Sequence, residues 1–184
     1  GEKSKDFSKK VISNGLLEWS NEESQFFKLK KRKSDKSTNL LFLENFANIL
    51  KKNTLQFLNG KPANSVLLWG ARGTGKSSLV MSVFNELSEK FSFSMIEIKF
   101  FQLQSLPKIL RICEKEKNKI IIFCDDFSFQ LNDEKFILFK NVLEGSLRQN
   151  SNILFYVTSN FRHLVKDYLN IDSNILHKKD VNEN

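Results

Sequence analysis

Apolar residues along this chain switch between two periods, and the switches mark its elements. Val66-Leu67-Leu68-Trp69 and Ile120-Ile121-Ile122-Phe123-Cys124 are unbroken apolar runs of strand length, the pattern of strands covered on both faces in a parallel sheet. Asn152-Ile153-Leu154-Phe155-Tyr156-Val157-Thr158-Ser159-Asn160 reads as a third strand, ending in polar residues. Phe93 to Phe100 alternates, with Met95 and Glu97 on one side and Ile96 and Ile98 on the other. Helical spacing separates these runs. Leu40, Leu43, Phe46, Ala47, Leu50 and Phe57 predict an amphipathic helix or two over Leu40 to Leu58, closed by Asn59-Gly60 and Pro62. Leu79, Val80, Val83, Phe84 and Leu87 predict the next helix. A third is capped by Ser105, with Pro107 near its first turn, and runs through Ile112. A fourth starts at Asp133 and carries the stripe Phe136, Phe139, Leu143 and Leu147. Strands alternating with helices predict an α/β fold around a central, mainly parallel sheet.

Residues 1–39 break the pattern. They mix Lys, Ser, Asn and Glu with a few aromatics, and read as a basic, mostly irregular segment with a short helix around Leu16 to Phe27. Residues 40–184 are then the folded core.

Chemistry enters between the elements. Gly70-Ala71-Arg72-Gly73-Thr74-Gly75-Lys76-Ser77 follows the first apolar strand and opens a helix, which is the G-x-x-x-x-G-K-S pattern of a phosphate-binding loop, Walker A. The glycines allow a tight turn whose backbone N–H groups point at phosphate oxygens, and the helix start adds its positive dipole end. Gly70, Ala71, Arg72, Gly73, Thr74, Gly75, Lys76, Ser77 and Ser78 are the candidate nucleotide-binding residues. Lys76 is placed to reach the β- and γ-phosphates of ATP, and the Ser77 hydroxyl to ligate Mg²⁺. Ile120 to Asp126 matches Walker B, a buried strand delivering carboxylates to its C-terminal edge, where ligands of open α/β sheets bind. Asp125 is the candidate Mg²⁺ residue, and Asp126 the candidate to orient or deprotonate the attacking water. Asn160, ending the last strand, either hydrogen-bonds the γ-phosphate or the water, or caps a helix beginning at Phe161.

Composition narrows the partners. Lys and Arg number 29 against 21 Asp and Glu, a formal charge of +8 that favours anionic partners. The basic run Lys28, Lys30, Lys31, Arg32, Lys33 and Lys36 either holds nucleic-acid phosphates or is a solvated linker. The two cysteines, Cys113 and Cys124, have no metal-ligand or CxxC spacing and suit a reducing compartment. No stretch is apolar over the length of a membrane span, and the start lacks the apolar region of a signal peptide, so a cytoplasmic protein is expected. The chain begins with Gly1 rather than Met, consistent with a piece of something longer.

Taken together, Asn53-Thr54, Phe57, Gly60-Lys61-Pro62-Ala63-Asn64, Leu67 to Val80, Phe123-Cys124-Asp125-Asp126, Leu143-Glu144-Gly145-Ser146 and Thr158 to Leu164 resemble a family of bacterial AAA+-like ATPases classed as a domain of unknown function. The resemblance spans about two thirds of the chain, Leu40 to Leu164. It implies a three-layer P-loop NTPase core, ATP and Mg²⁺ binding, and kinship with initiator and helicase-loader ATPases. It also implies that Asn160 is the sensor 1 residue, and that assembly follows AAA+ habit, a homo-oligomer with ATP at subunit interfaces. Gln130 stands where the family usually has an acidic residue. Family members continue with an Arg-Phe-Gly segment, a fifth core strand and a helical lid, and no match to these is read between Asp167 and Asn184. The expectation is therefore a core without that lid and fifth strand, hydrolysing ATP slowly in isolation, because an arginine finger is worth roughly 10³ to 10⁵ in rate. Arg162 and Arg148 are the arginines remaining in the latter part of the chain. Two other functions compete: a nucleotide-gated module binding nucleic acid or protein without efficient hydrolysis, and a small-molecule P-loop kinase, which Lys99-Phe100-Phe101 furnishes with no acidic acceptor-binding group.

Overall fold

The computed structural model describes residues 12–30, 40–70, 75–130, 132–149, 152–159 and 169–172. The unbroken apolar runs form the middle of the sheet as β3 (Val66–Trp69), β5 (Ile120–Phe127) and β6 (Ile153–Ser159), with the alternating segment beside them as β4 (Ser94–Ile98). With β1 (Gly15–Ser20), β2 (Gln25–Lys28) and β7 (Leu169–Asp172) they make a seven-stranded sheet of order β2-β1-β4-β5-β6-β3-β7. Every neighbouring pair is parallel except β1 with β2.

Period-two alternation splits this sheet into two apolar faces. Val66, Leu68, Met95, Ile121, Phe123, Leu154 and Tyr156 face helices α1 (Leu40–Leu58) and α2 (Lys76–Ser88). Leu67, Ile96, Ile122, Cys124, Phe155 and Val157 face α3 (Leu106–Glu114) and α4 (Glu134–Gln149). The result is the expected three-layer fold, with both cysteines buried in it. An isolated helix as short as α2, 13 residues, is marginal in water. Six of its side chains are buried, each stabilising by about 1.5–3 kcal/mol, so packing on the sheet holds it and aims its first turn at the end of β3. Helix starts follow the sequence with one exception. Lys135 N–H donates to Asp133 Oδ1 (3.0 Å), capping α4. Ser105 does precede α3, but its hydroxyl donates to Asn21 Oδ1 (2.7 Å) instead of capping.

Two expectations are corrected. Leu16 to Phe27 is a β-hairpin, not a helix: Leu17 pairs with Lys28 and Trp19 with Phe26, while β1 lies parallel to β4. The edge of β4 supplies the backbone partners and buries Leu16, Leu17 and Trp19, whereas the local pattern suits either element. A core strand also exists beyond Asp167. β7 lies parallel to β3, with Val66 opposite Leu169 and Trp69 opposite Asp172. Four residues carry no readable period; the open edge of β3 makes them a strand. The segment expected to lack a lid, after Asp172, lies outside the described residues, as do Lys31, Arg32, Lys33 and Lys36 of the basic run.

A buried polar network ties α1 to the sheet near the start of β3. The Tyr156 hydroxyl meets Thr54 Oγ1 and accepts from Asn53 Nδ2 (3.3 Å), and burial pushes the Tyr156 phenol up to about 12. Asn53 in turn clasps the main chain of Asn64 in both directions, at 2.7 and 3.0 Å. Tyr156→Phe leaves those bonds and the one from Thr54 Oγ1 to Leu50 O intact. Its expected cost is therefore only about 1 kcal/mol, a fall of roughly 2–4 °C in Tm by calorimetry. A loss several times larger would contradict this division of the network.

Candidate functional site

Adjacency in the sheet brings three strand ends to one edge. β3, β6 and β5 are consecutive neighbours, and their C-terminal ends carry Gly70, Thr158-Ser159 and Asp125-Asp126. Gly70 N–H donates to Ser159 O (3.2 Å), fastening the loop start to β6. Gly70 has φ 147° and Gly75 φ 87°, left-handed backbone that favours glycine. Gly75 stands as the N-cap of α2 with no side-chain cap, and the first turn of that helix holds no acidic residue. The backbone N–H groups of a helix's first turn have no helical acceptors, and with the dipole they make a positive end suited to an anion.

Lys76 lies in that turn. Its Nζ donates to Gly70 O (2.7 Å), and burial pulls its pKa below the usual 10.5, opposed by the charges of Asp126 and Asp125. Ser77 Oγ donates directly to Asp125 Oδ1. The same carboxylate oxygen accepts from Thr158 Oγ1 (2.8 Å), and Thr158 Oγ1 accepts the Asp126 N–H (2.7 Å). Ser159 Oγ donates to Phe127 O (2.6 Å). Two consecutive hydroxyls of β6 thus clamp the end of β5.

The clamp holds a bulge. Cys124 pairs with Val157 and Phe127 with Ser159, so β5 advances three residues where β6 advances two. Asp126 is the extra residue, with φ 55° and an exposed side chain, while Asp125 turns toward Ser77. Beyond the bulge, Phe127 and Phe129 are locked against Phe139, with ring centroids 4.9 and 5.5 Å away. The geometry of the two carboxylates is therefore set from both sides.

Of the residues singled out in the sequence, Gly70, Gly75, Lys76, Ser77, Ser78, Asp125 and Asp126 come to this edge. Ala71, Arg72, Gly73, Thr74 and Asn160 lie outside the described residues, as does Arg162. Thr158 and Ser159 were missed as contributors. Parity could have found Thr158, because Leu154, Tyr156 and Thr158 share the face of β6 that looks at α2, and a hydroxyl there ends an otherwise apolar stripe. Among the described residues no group of three or more His, Cys, Asp or Glu gathers for a metal. The touching hydroxyl and carboxylate of Ser77 and Asp125 are hard oxygen donors of the kind Mg²⁺ takes alongside phosphate and water.

A central parallel sheet between helical layers, with a Gly-Lys-Ser helix start facing a bulged Asp-Asp strand end, defines an AAA+-like P-loop NTPase fold. Solved structures agree. The Thermotoga maritima RuvB Holliday junction branch migration motor matches with TM-score 0.52 and 15% identity, over 77% of this chain and 48% of that one. A chain of the E. coli MS115-1 HORMA:CdnC:Trip13 complex matches with TM-score 0.54 and 13% identity, over 74% of this chain and 65% of that one. The chain thus spans about half the length of the RuvB chain, at 48%. No curated protein matches by sequence. The chain belongs to the family described as "protein of unknown function (DUF815)", whose model matches residues 13–184. No helix among the described residues is long and apolar enough to cross a membrane.

Proposed function

We propose that this chain is a cytoplasmic AAA+-type module that binds ATP with Mg²⁺ and hydrolyses it to ADP and phosphate, slowly in isolation. The observation that carries this reading is the convergence of Ser77 and Thr158 on Asp125 at the mouth of the loop, with Lys76 held to Gly70 O in the same helix turn as Ser77. In this reading Lys76 and the first-turn N–H groups of α2 bind the β- and γ-phosphates. Ser77 and Asp125 hold Mg²⁺, which supplies charge neutralisation on the phosphate oxygens. Asp126 orients the attacking water and takes up its proton, and Asn160 contacts the γ-phosphate or that water. Arg111 sits in the last turn of α3, the end from which the chain returns to the opposite edge of the sheet, so it supplies no arginine finger to this site. Phosphate release from the purified chain with Mg²⁺ and ATP tests the reading: turnover on the order of 1 per second or faster would reject slow hydrolysis, and absent ATP binding would reject the whole.

Thr158 tests the geometry itself. Thr158→Val keeps the shape and removes both hydrogen bonds, leaving Asp125 with the bond from Ser77 and taking the Thr158 acceptor from the Asp126 N–H. An expected loss of about 1–3 kcal/mol should appear as a roughly ten-fold weaker Mg²⁺-dependent ATP affinity in calorimetry, restored by Thr158→Ser. Equal affinities in all three proteins would show that the clamp does not position Asp125.

The second reading, a nucleotide-gated nucleic-acid binder, is favoured by the formal charge of +8. Single-stranded DNA binding measured against salt decides it, and no binding at low salt removes it. For the kinase reading, the acid at the end of β4, Glu97, is buried and paired with Lys99 Nζ (2.8 Å), a poor position for holding an acceptor.

A further inference from the structure

At the edge of the sheet opposite the candidate nucleotide site lies a cavity of about 430 Å³. The start of β3 (Ser65), the approach to β5 (Lys119) and the first residues of β6 (Ile153 to Phe155) form its floor. The end of α1 and the turn after it add Phe57 and Lys61, and α4 adds Ser146. Its size is that of a small-molecule pocket, which runs from roughly 300 to 1,000 Å³. β3 is four residues long, so about 13 Å of strand separates this cavity from the phosphate loop. The two places are distinct.

The lining is chemically one-sided. Phe57 and Leu154 give an apolar body, Ser65 and Ser146 give hydroxyls, and Lys61 and Lys119 give two ammonium groups. None of the described lining residues is acidic, in a chain with 21 Asp and Glu. Lys119 Nζ stands 5.0 Å from the centroid of the Phe57 ring, which places a cation directly against the aromatic wall. The carbonyl ends of α1 and α4 face the same edge, so an anion here would depend on the two lysines and not on a helix dipole.

We propose that this cavity is a second ligand site, taking a small molecule that carries an anionic group on an aromatic or aliphatic body. The ammonium groups of Lys61 and Lys119 receive the anion, and Phe57 and Leu154, which share the α1 face of the sheet, receive the body. This assignment does not depend on the nucleotide reading.

The test uses two fluorescent probes of the same aromatic frame, anilinonaphthalene sulfonate, which is anionic, and N-phenyl-1-naphthylamine, which is neutral. The expected result is saturable 1:1 binding of the sulfonate to the folded chain, with the neutral probe roughly ten-fold weaker. The pair Lys61→Met and Lys119→Met keeps the side-chain stems, and should bring the sulfonate down to the affinity of the neutral probe. Ser146→Phe should fill the cavity and abolish both signals, while Lys76→Ala should bind both probes as the unaltered chain does. Thermal melts of each variant establish that it is folded. The proposal is overturned if the two probes bind equally to the unaltered chain, if a folded Ser146→Phe protein binds undiminished, or if Lys76→Ala loses the sulfonate.

Discussion

Lys76→Ala is expected to weaken ATP binding by roughly 100-fold or more, because the ammonium group would make two charge-assisted hydrogen bonds to phosphate, each worth about 1.5–3 kcal/mol. Equal nucleotide affinity in the two proteins, measured by calorimetry with Mg²⁺ present, would sink the nucleotide-binding reading. Stability should move differently. Burial holds the Lys76 pKa below 10.5, so the folded state disfavours the charged form. That cost is fully present below the lowered folded pKa and disappears as pH rises through the unfolded value. The variant is therefore expected to melt no lower than the unaltered chain at neutral pH, with any advantage shrinking at alkaline pH. A Lys76→Ala protein that both loses ATP and melts far lower would point to a structural role, in which the bond from Nζ to Gly70 O shapes the loop.

Asp126→Asn is expected to keep ATP binding and lower kcat by about 10² to 10⁴, the range for removing a positioned general base. The bulge makes this substitution unusually clean. Asp126 sits at φ 55°, where Asn is nearly as comfortable as Asp, so the strand end should keep its shape while the charge and proton acceptor are lost. Asp126→Ala would mix in backbone strain of roughly 1–2 kcal/mol. The bulge turns Asp126 out of the sheet and exposes it. Single-turnover phosphate release separates the outcomes, and an Asp126→Asn enzyme with unchanged kcat would move the base elsewhere on this edge.

The sequence was most readable where local chemistry has few alternatives. Val66–Trp69 and Leu40–Leu58 match their elements to the residue, because a doubly covered strand needs unbroken apolar side chains and a half-covered helix needs them at helical spacing. Gly70, Gly75, Lys76 and Ser77 mark a candidate anion site through spacing alone, since a loop backbone at positive φ and a bare helix start are local properties. Leu16 to Phe27 and Leu169–Asp172 are not legible as strands in the sequence, for one shared reason. A short edge strand is stabilised by hydrogen bonds to a partner far along the chain, and the edges of β4 and β3 provide them.

The sequence by itself therefore determined the layering of the core, the phosphate loop and the presence of two carboxylates at a strand end. Only the tertiary structure decided how those carboxylates are placed. The order β5-β6-β3 sets Thr158 and Ser159 beside them, and the register shift between Cys124 and Phe127 turns Asp125 inward and Asp126 outward. Neither effect can be written into residues 120–127 alone, because a bulge is defined by the strand it is paired against.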